Sequence, residues 1–347
     1  MKMKTIRWGM IGCGEVARMK SGPALWRAEH SALAAVYDRN SDRAAGFALL
    51  HAGVRAERDA DALIRAPDVD VVYVATRTDS HKDYVLRCAA AGKPVLVEKP
   101  MGMSQGECRE MAEACRAARV PLWIAYYRRA LPRFTALRDL VQSGAIGEVR
   151  MTISRHFHRI PDPEAMRGPF WGWRLDPKAS GGGIFFEAVG HTLDILDFVI
   201  GPIAGIRTYA DNQAGAYPPE DVVSASWRYE NGALGSGAWC FATDIDDEFN
   251  EIVGAKGRIR YSTFPPLMPP AGQPPAPIRV YRGESVEEVP IGDPPYVHQP
   301  LVQSIVDELN GRGHCASTPE SAMRTAKVID DALAEFLSKR RGGPRTD

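Results

Sequence analysis

The strongest constraint on this chain is a glycine turn set between an apolar strand and a helix. Ile6 to Ile11 reads as a strand, and Gly12-Cys13-Gly14-Glu15-Val16-Ala17 follows it at once, a GxGxxA pattern where a helix should open. In a mononucleotide-binding unit the first glycine permits the tight turn and the second lets backbone approach a pyrophosphate. The small third residue lets helix and strand pack closely, and the amides of the helix start face the phosphates. Leu33 to Tyr37 supplies a second apolar strand, ended by Asp38, 24 residues after Gly14. An acid at that place binds the adenosine ribose hydroxyls.

The alternation continues with a helix near 41–52, a strand from Val71 to Ala75, a helix near 80–91, a strand at 95–97, a helix at 104–118 and a strand from Leu122 to Ala125. Strands alternating with helices predict a doubly wound parallel sheet, the α/β class, with ligands at the carboxyl ends of its strands. Gly14, Asp38, Thr76 and Lys99 all fall at such ends. Lys99 closes the stretch KPVLVEKPMG, in which Pro100 cannot donate to a ladder and turns the chain with Glu98 and Lys99 at the strand end. Alone, that pair also fits a solvated charge pair before a turn; among these strand ends it lies at the mouth of a dinucleotide site. Lys20-Ser21-Gly22-Pro23 interrupts the first helix. Pro23 suits the first turn of a new one, so an irregular elbow is expected near the phosphates, with Lys20 either solvated or touching cofactor or substrate.

A length of 347 residues exceeds one ordinary core and predicts two domains, residues 1–124 and 125–347. Lys plus Arg equals Asp plus Glu at 43 each, so no global field recruits nucleic acid or an anionic membrane, and a small-molecule partner is expected. The longest apolar stretch, 184–206, carries Glu187, His191, Asp194 and Asp197 and makes a poor membrane span. Six cysteines form no CxxC pair and no zinc-like spacing, so no metal is expected. The opening MKMKTIRWGMIGCG runs straight into the glycine turn, and a reduced, cytoplasmic protein is the simplest expectation.

From residue 148 the pattern becomes strand-rich, with runs at 149–157, 203–210, 221–230, 233–242, 249–253, 257–263, 278–282 and 286–289. Asn231-Gly232 between two of them signals a hairpin. This predicts an α+β arrangement with an antiparallel sheet beside helices. The proline-rich 265–277 reads as a surface loop, and a helical region near 299–339 packs back on the body. Gly181-Gly182-Gly183 leads a segment from Ile184 to Ile200 that is apolar on almost every side and therefore buried. Glu187, His191 and Asp194 stand at i, i+4 and i+7, on one face of a helix. Buried groups of this kind must meet one another, water or a ligand; beside a cleft they mark chemistry, and otherwise an internal network.

Together GMIGCGEVA, VATRTDSH, VEKPM and GGGIFFEAVGHTLD, in that order and spacing, resemble the glucose-fructose oxidoreductase and inositol dehydrogenase family (Gfo/Idh/MocA) over essentially the whole chain. The resemblance implies an N-terminal Rossmann doubly wound parallel sheet plus a C-terminal α+β domain with a large, mostly antiparallel open sheet. That sheet often carries dimer or tetramer contacts, so a homodimer or homotetramer is implied. The implied activity is NAD(P)-dependent hydride transfer between nicotinamide and a sugar, polyol or related secondary alcohol or ketone. Alternatives on the same scaffold are an NAD-dependent glycoside hydrolase and a non-catalytic dinucleotide or sugar sensor.

Carried over by position, Lys99 matches the lysine that bonds the reacting oxygen, and His191 matches the acid/base. Glu187 stands where the family usually has aspartate, which keeps the charge on a longer arm. Cofactor contacts are implied for Gly12, Gly14, Glu15, Val16, Asp38, Arg39, Thr76, His81, Glu98 and Lys99. Asp38 favours NAD over NADP, whereas Arg39 is placed to stack on adenine or accept a 2′-phosphate. Substrate contacts are expected among Lys20, Tyr127, Arg128, His156, Trp173 and Arg174, for each of which packing or a solvated face is the alternative.

Overall fold

The computed structural model describes residues 3–265 and 276–341, so all but the ends of the proline-rich 265–277 stretch lies outside the described residues. The chain divides into two compact units. One comprises Met1–Leu131 and Pro294–Met323, the other Pro132–Asp293 and Arg324–Asp347.

The first unit holds a six-stranded sheet built from β1 (Ile6–Ile11), β2 (Ser31–Tyr37), β3 (Arg55–Ala56), β4 (Val71–Val74), β5 (Val95–Val97) and β6 (Leu122–Ile124). All pairs are parallel, in the order β3-β2-β1-β4-β5-β6. Every residue of β4 and β5 is buried, as a sheet covered on both faces requires. The helices between strands start where side chains satisfy their first amides: Asn40 accepts from Asp42 and Arg43, Asp59 from Ala62, and Ser104 from Glu107. The order reverses between β1 and β4, where a doubly wound sheet opens a crevice at its carboxyl edge. The β3 strand and the Ala60–Arg65 helix carried no sequence signal because they are too short to show a period.

Segment 294–323 joins this unit through specific bonds. Glu29 N–H donates to Gln303 at 2.7 Å, Lys4 N–H to Asn310 at 2.8 Å, and the Ser317 hydroxyl to the Ile124 carbonyl at 2.6 Å.

The second unit carries an eight-stranded sheet of β7 (Val149–Arg159), β8 (Ile203–Asp211), β9 (Val222–Tyr229), β10 (Leu234–Thr243), β11 (Asp247–Gly254), β12 (Gly257–Tyr261), β13 (Ile278–Arg282) and β14 (Ser285–Val289). Its order is β14-β13-β12-β11-β7-β10-β9-β8, antiparallel except between β7 and β10. The hairpin expected at Asn231-Gly232 joins β9 to β10, with Gly232 at φ +90°. Alternation sets the faces. Val223, Ala225, Trp227 and Trp239 point into a core with Phe185, Val189, Leu193 and Leu196 from the glycine-run segment and Ile329 and Leu333 from the Pro319–Arg341 helix. The other sheet face is an interleaved layer of guanidinium groups and rings. Arg155 lies over Phe249 at 4.5 Å, and Arg258 over Tyr281 at 4.7 Å.

Candidate active site

In the first unit the glycine turn is built as its sequence demands. Gly12 has φ +102°, and a Cβ there would stand 2.7 Å from the Ala75 carbonyl oxygen, so only glycine fits between β1 and β4. Asp38, at the end of β2, is fixed over the turn: its carboxylate accepts from the Cys13 N–H and the Asn40 N–H, each at 2.8 Å. Around Gly14 a Cβ would meet nothing within 4 Å. That open space over turn amides, with a fixed acid alongside, fits a dinucleotide pyrophosphate and ribose. Glu15, Lys20 and Arg39 are exposed, and Val16 is half-buried. After Ala17 the helix widens into a single π turn over Ala17–Ser21, which closes with Gly22 N–H on the Ala17 carbonyl before Pro23 opens the next helix, the elbow expected there.

Thr76 follows β4 and receives the Ser80 hydroxyl at 2.8 Å. His81 is buried, and both ring nitrogens face backbone carbonyls, Pro100 at 3.0 Å and Thr76 at 3.1 Å. The ring therefore ties the chain after β4 to the turn after β5. Burial lowers its pKa, against the pull of those carbonyls.

Glu98 and Lys99 stand together after β5. Glu98 is buried and receives the Tyr73 hydroxyl from β4 and the Lys99 N–H at 3.1 Å, while His298 Nε2 lies 3.5 Å from its carboxylate. Burial pushes this carboxyl up, but His298, Tyr73 and Lys99 outweigh it and hold the pKa down at about 2. Lys99 is half-buried, and Tyr127 and Arg128 are both buried in the turn after β6, with the Arg128 guanidinium 4.9 Å over the Tyr127 ring.

In the second unit Glu187, His191 and Asp194 are all buried. The segment is not one regular helix: Phe185–Val189 forms a π turn, and the α-helix runs only over Gly190–Val199. A wider turn needs more residues per revolution, so Glu187 falls short of the one-turn alignment with His191 that i, i+4 spacing predicts for an α-helix. Gly183, which leads into this turn, must be glycine because a Cβ would stand 2.5 Å from the Pro219 side chain. Its N–H donates to buried Glu220 at 3.3 Å.

Trp173 and Arg174 lie beside this segment. The Arg174 guanidinium is stacked on Phe170 at 4.3 Å and Trp173 at 4.4 Å, with its Nε 3.8 Å from Glu187. His191 sits edge-on to Phe264 at 6.0 Å, and Phe264 meets His156 of β7 at 5.0 Å. His156 is neutral near pH 7: burial, then the neighbouring His158, pushes its pKa down to about 4. Opposite it on β11, Glu248 is a half-buried carboxyl raised by desolvation, accepting from Asn250 at 2.6 Å and from the Thr263 N–H at 3.0 Å.

His298, Phe264, Glu248 and Glu220 carried no usable signal. Phe264 is a lone aromatic before the proline-rich stretch, and a strand carboxylate reads as solvent-facing until its partners are known.

A parallel sheet with a glycine turn at its order reversal, an acid at the next strand end and a glutamate-lysine pair beyond defines a dinucleotide-dependent oxidoreductase. Residues 6–126 match the oxidoreductase family with an NAD-binding Rossmann fold, and residues 134–260 match the GFO/IDH/MocA C-terminal domain. Oxidoreductase P35 of Formosa agariphila is 32% identical over 94% of this chain and 97% of its own. The 1,5-anhydro-D-fructose reductase of Ensifer adhaerens is 27% identical over 91% and 92%. Among solved structures, the aldose-aldose oxidoreductase of Caulobacter crescentus superposes with a TM-score of 0.80 at 24% identity, over 98% of this chain and 99% of that one. The chain belongs to the Gfo/Idh/MocA family and is an NAD(P)-dependent oxidoreductase acting on CH–OH groups. Among the described residues no helix is long and apolar enough to cross a membrane.

Proposed function

We propose that this protein oxidises a secondary alcohol of a sugar or polyol, or reduces the corresponding ketone, with Lys99 bonding the reacting oxygen and His191 exchanging its proton. The nicotinamide, when bound, supplies the hydride acceptor for oxidation and the hydride donor for reduction. Lys99 donates to the substrate oxygen and stabilises the negative charge that develops there as the hydroxyl proton leaves. His191 takes that proton in oxidation and returns it in reduction. Glu187, paired with the stacked guanidinium of Arg174, orients the substrate hydroxyls next to His191. Trp173 and the His156–Phe264 pair offer ring faces to the apolar side of a sugar. The sugar-directed names of the Ensifer and Caulobacter relatives agree with this substrate class.

The observation that carries the reading is the buried Glu98 carboxylate bonded to the Lys99 N–H at 3.1 Å, which sets a lysine at the carboxyl edge of β5 beside the crevice strands. Assaying a panel of sugars, inositols and sugar acids for reduced nicotinamide tests it. Stoichiometric product from a free polyol supports the proposal, whereas release of an aglycone with no net redox change supports a hydrolase instead.

NAD is the proposed cofactor, because the fixed carboxylate of Asp38 repels a 2′-phosphate. Tighter binding of NADPH than NADH overturns that preference. A homodimer or homotetramer joined through the exposed arginine-aromatic sheet face is also proposed. A reducing, cytoplasmic setting is also proposed, because the six cysteines form no CxxC pair in the sequence.

A further inference from the structure

We propose that His298 is a positioning residue for Lys99, acting through the buried carboxylate of Glu98; this rests on Lys99 being the residue that bonds the reacting oxygen. His298 arrives from segment 294–323, far along the chain from Glu98, yet it closes the same cluster. Its Nε2 stands 3.5 Å from Glu98 Oε1. The ring is 4% exposed and lies on the Tyr127 ring at 4.2 Å, and the His298 carbonyl accepts from the Val302 N–H at 3.0 Å. Backbone and ring contacts both keep Nε2 beside the carboxylate in this structure.

The tautomer follows. An imidazole facing a carboxylate through Nε2 carries its proton there, which leaves Nδ1 as a lone pair when the ring is neutral. That Nδ1 is buried with no hydrogen-bond partner among the described residues. A residue kept only for packing would avoid that cost, since leucine or phenylalanine fills the same space without an unsatisfied atom. The N–H toward Glu98 is what a histidine adds.

Tyr73 from β4, His81 from the helix that follows, Lys99 beside it and His298 all interact with Glu98. Burial and the adjacent Glu98 charge keep the Tyr73 hydroxyl protonated, so it is a constant donor. His298 is the donor brought by a separate segment. Without it, a carboxylate that is only 9% exposed loses one of the groups that hold it in place. The acceptor that fixes the Lys99 N–H is then less firmly set, and the lysine shifts with it.

The test compares wild type, His298→Leu, His298→Gln and Lys99→Met in steady-state assays from pH 5 to 9, with 1,5-anhydro-D-fructose and myo-inositol as probe substrates and dinucleotide binding followed separately. His298→Leu should lower kcat about tenfold throughout that pH range and leave the dinucleotide KM within about twofold. His298→Gln, which returns an N–H at similar reach, should restore kcat to within about threefold. Wild-type kcat in His298→Leu overturns the proposal, and so does equal loss in both variants. If His298→Leu does not fold, Glu98→Gln reads the same cluster with its shape kept: a lower kcat with the dinucleotide KM kept supports the proposal, and an unchanged kcat overturns it. The two readings separate through Lys99→Met. Full activity there removes the role of Lys99 and this inference with it, whereas an inactive Lys99→Met beside a fully active His298→Leu removes the role of His298 alone.

Discussion

At the scale of single residues, two side chains are fixed by contacts that make their chemistry testable. Asp38 accepts the Cys13 N–H and so belongs to the glycine turn as much as to the ribose site. Asp38→Ser keeps an acceptor for that N–H and removes the charge. The ratio of NADPH to NADH affinity should therefore rise at least about tenfold, about 1.4 kcal/mol, as read by fluorescence titration; an unmoved ratio contradicts the role given to the carboxylate. His156 gives a stability prediction. Its pKa is about 4 in the folded protein and near 6.5 in an unfolded chain, so between those values the unfolded state binds more protons and stability falls as pH falls. His156→Phe should remove roughly 2 kcal/mol of that decline between about pH 7 and pH 4.5 in urea unfolding. Glu98 works in the same direction at lower pH: its pKa of about 2 contributes stability that is lost only as pH drops below about 4.5.

At the scale of elements, the glycine-run segment shows what a period conveys and what it leaves out. Apolarity on nearly every side marked it as buried, and it is. The π turn at Phe185–Val189 was invisible, because the residues of an α turn and a wider one look alike in a sequence and packing against neighbours chooses between them. The close approach of Pro219 and Glu220 to Gly183 was hidden for the same reason. Gly183→Ala places a Cβ against Pro219 and should cost about 1–3 kcal/mol by chemical denaturation; no loss contradicts this account of the segment. In the first unit, by contrast, the strands, the glycine turn and the Glu98–Lys99 corner were legible, because an acid at a set distance and a proline after a short apolar run are local signals. What was not legible there is segment 294–323, whose place depends on bonds such as Lys4 to Asn310 that no local pattern encodes.

At the scale of the whole molecule, both domain matches and the Formosa relative make this chain an NAD(P)-dependent oxidoreductase of the Gfo/Idh/MocA family. The outer face of the second sheet keeps Arg155, Phe249, Arg260 and Tyr281 in partly exposed stacks, and Tyr209 on β8 is 85% exposed. Sedimentation should give a dimer or tetramer, and Arg260→Glu, which puts a second negative charge beside Glu251, should shift it toward monomer; a wild-type monomer contradicts the assembly. The most direct test of the central claim is the rate of nicotinamide reduction with sugars and polyols for wild type, Lys99→Met and His191→Ala side by side. The account predicts stoichiometric reduced nicotinamide from wild type and a rate lower by about a hundredfold or more in each variant, with dinucleotide affinity nearly unchanged. Wild-type rates in both variants would contradict it.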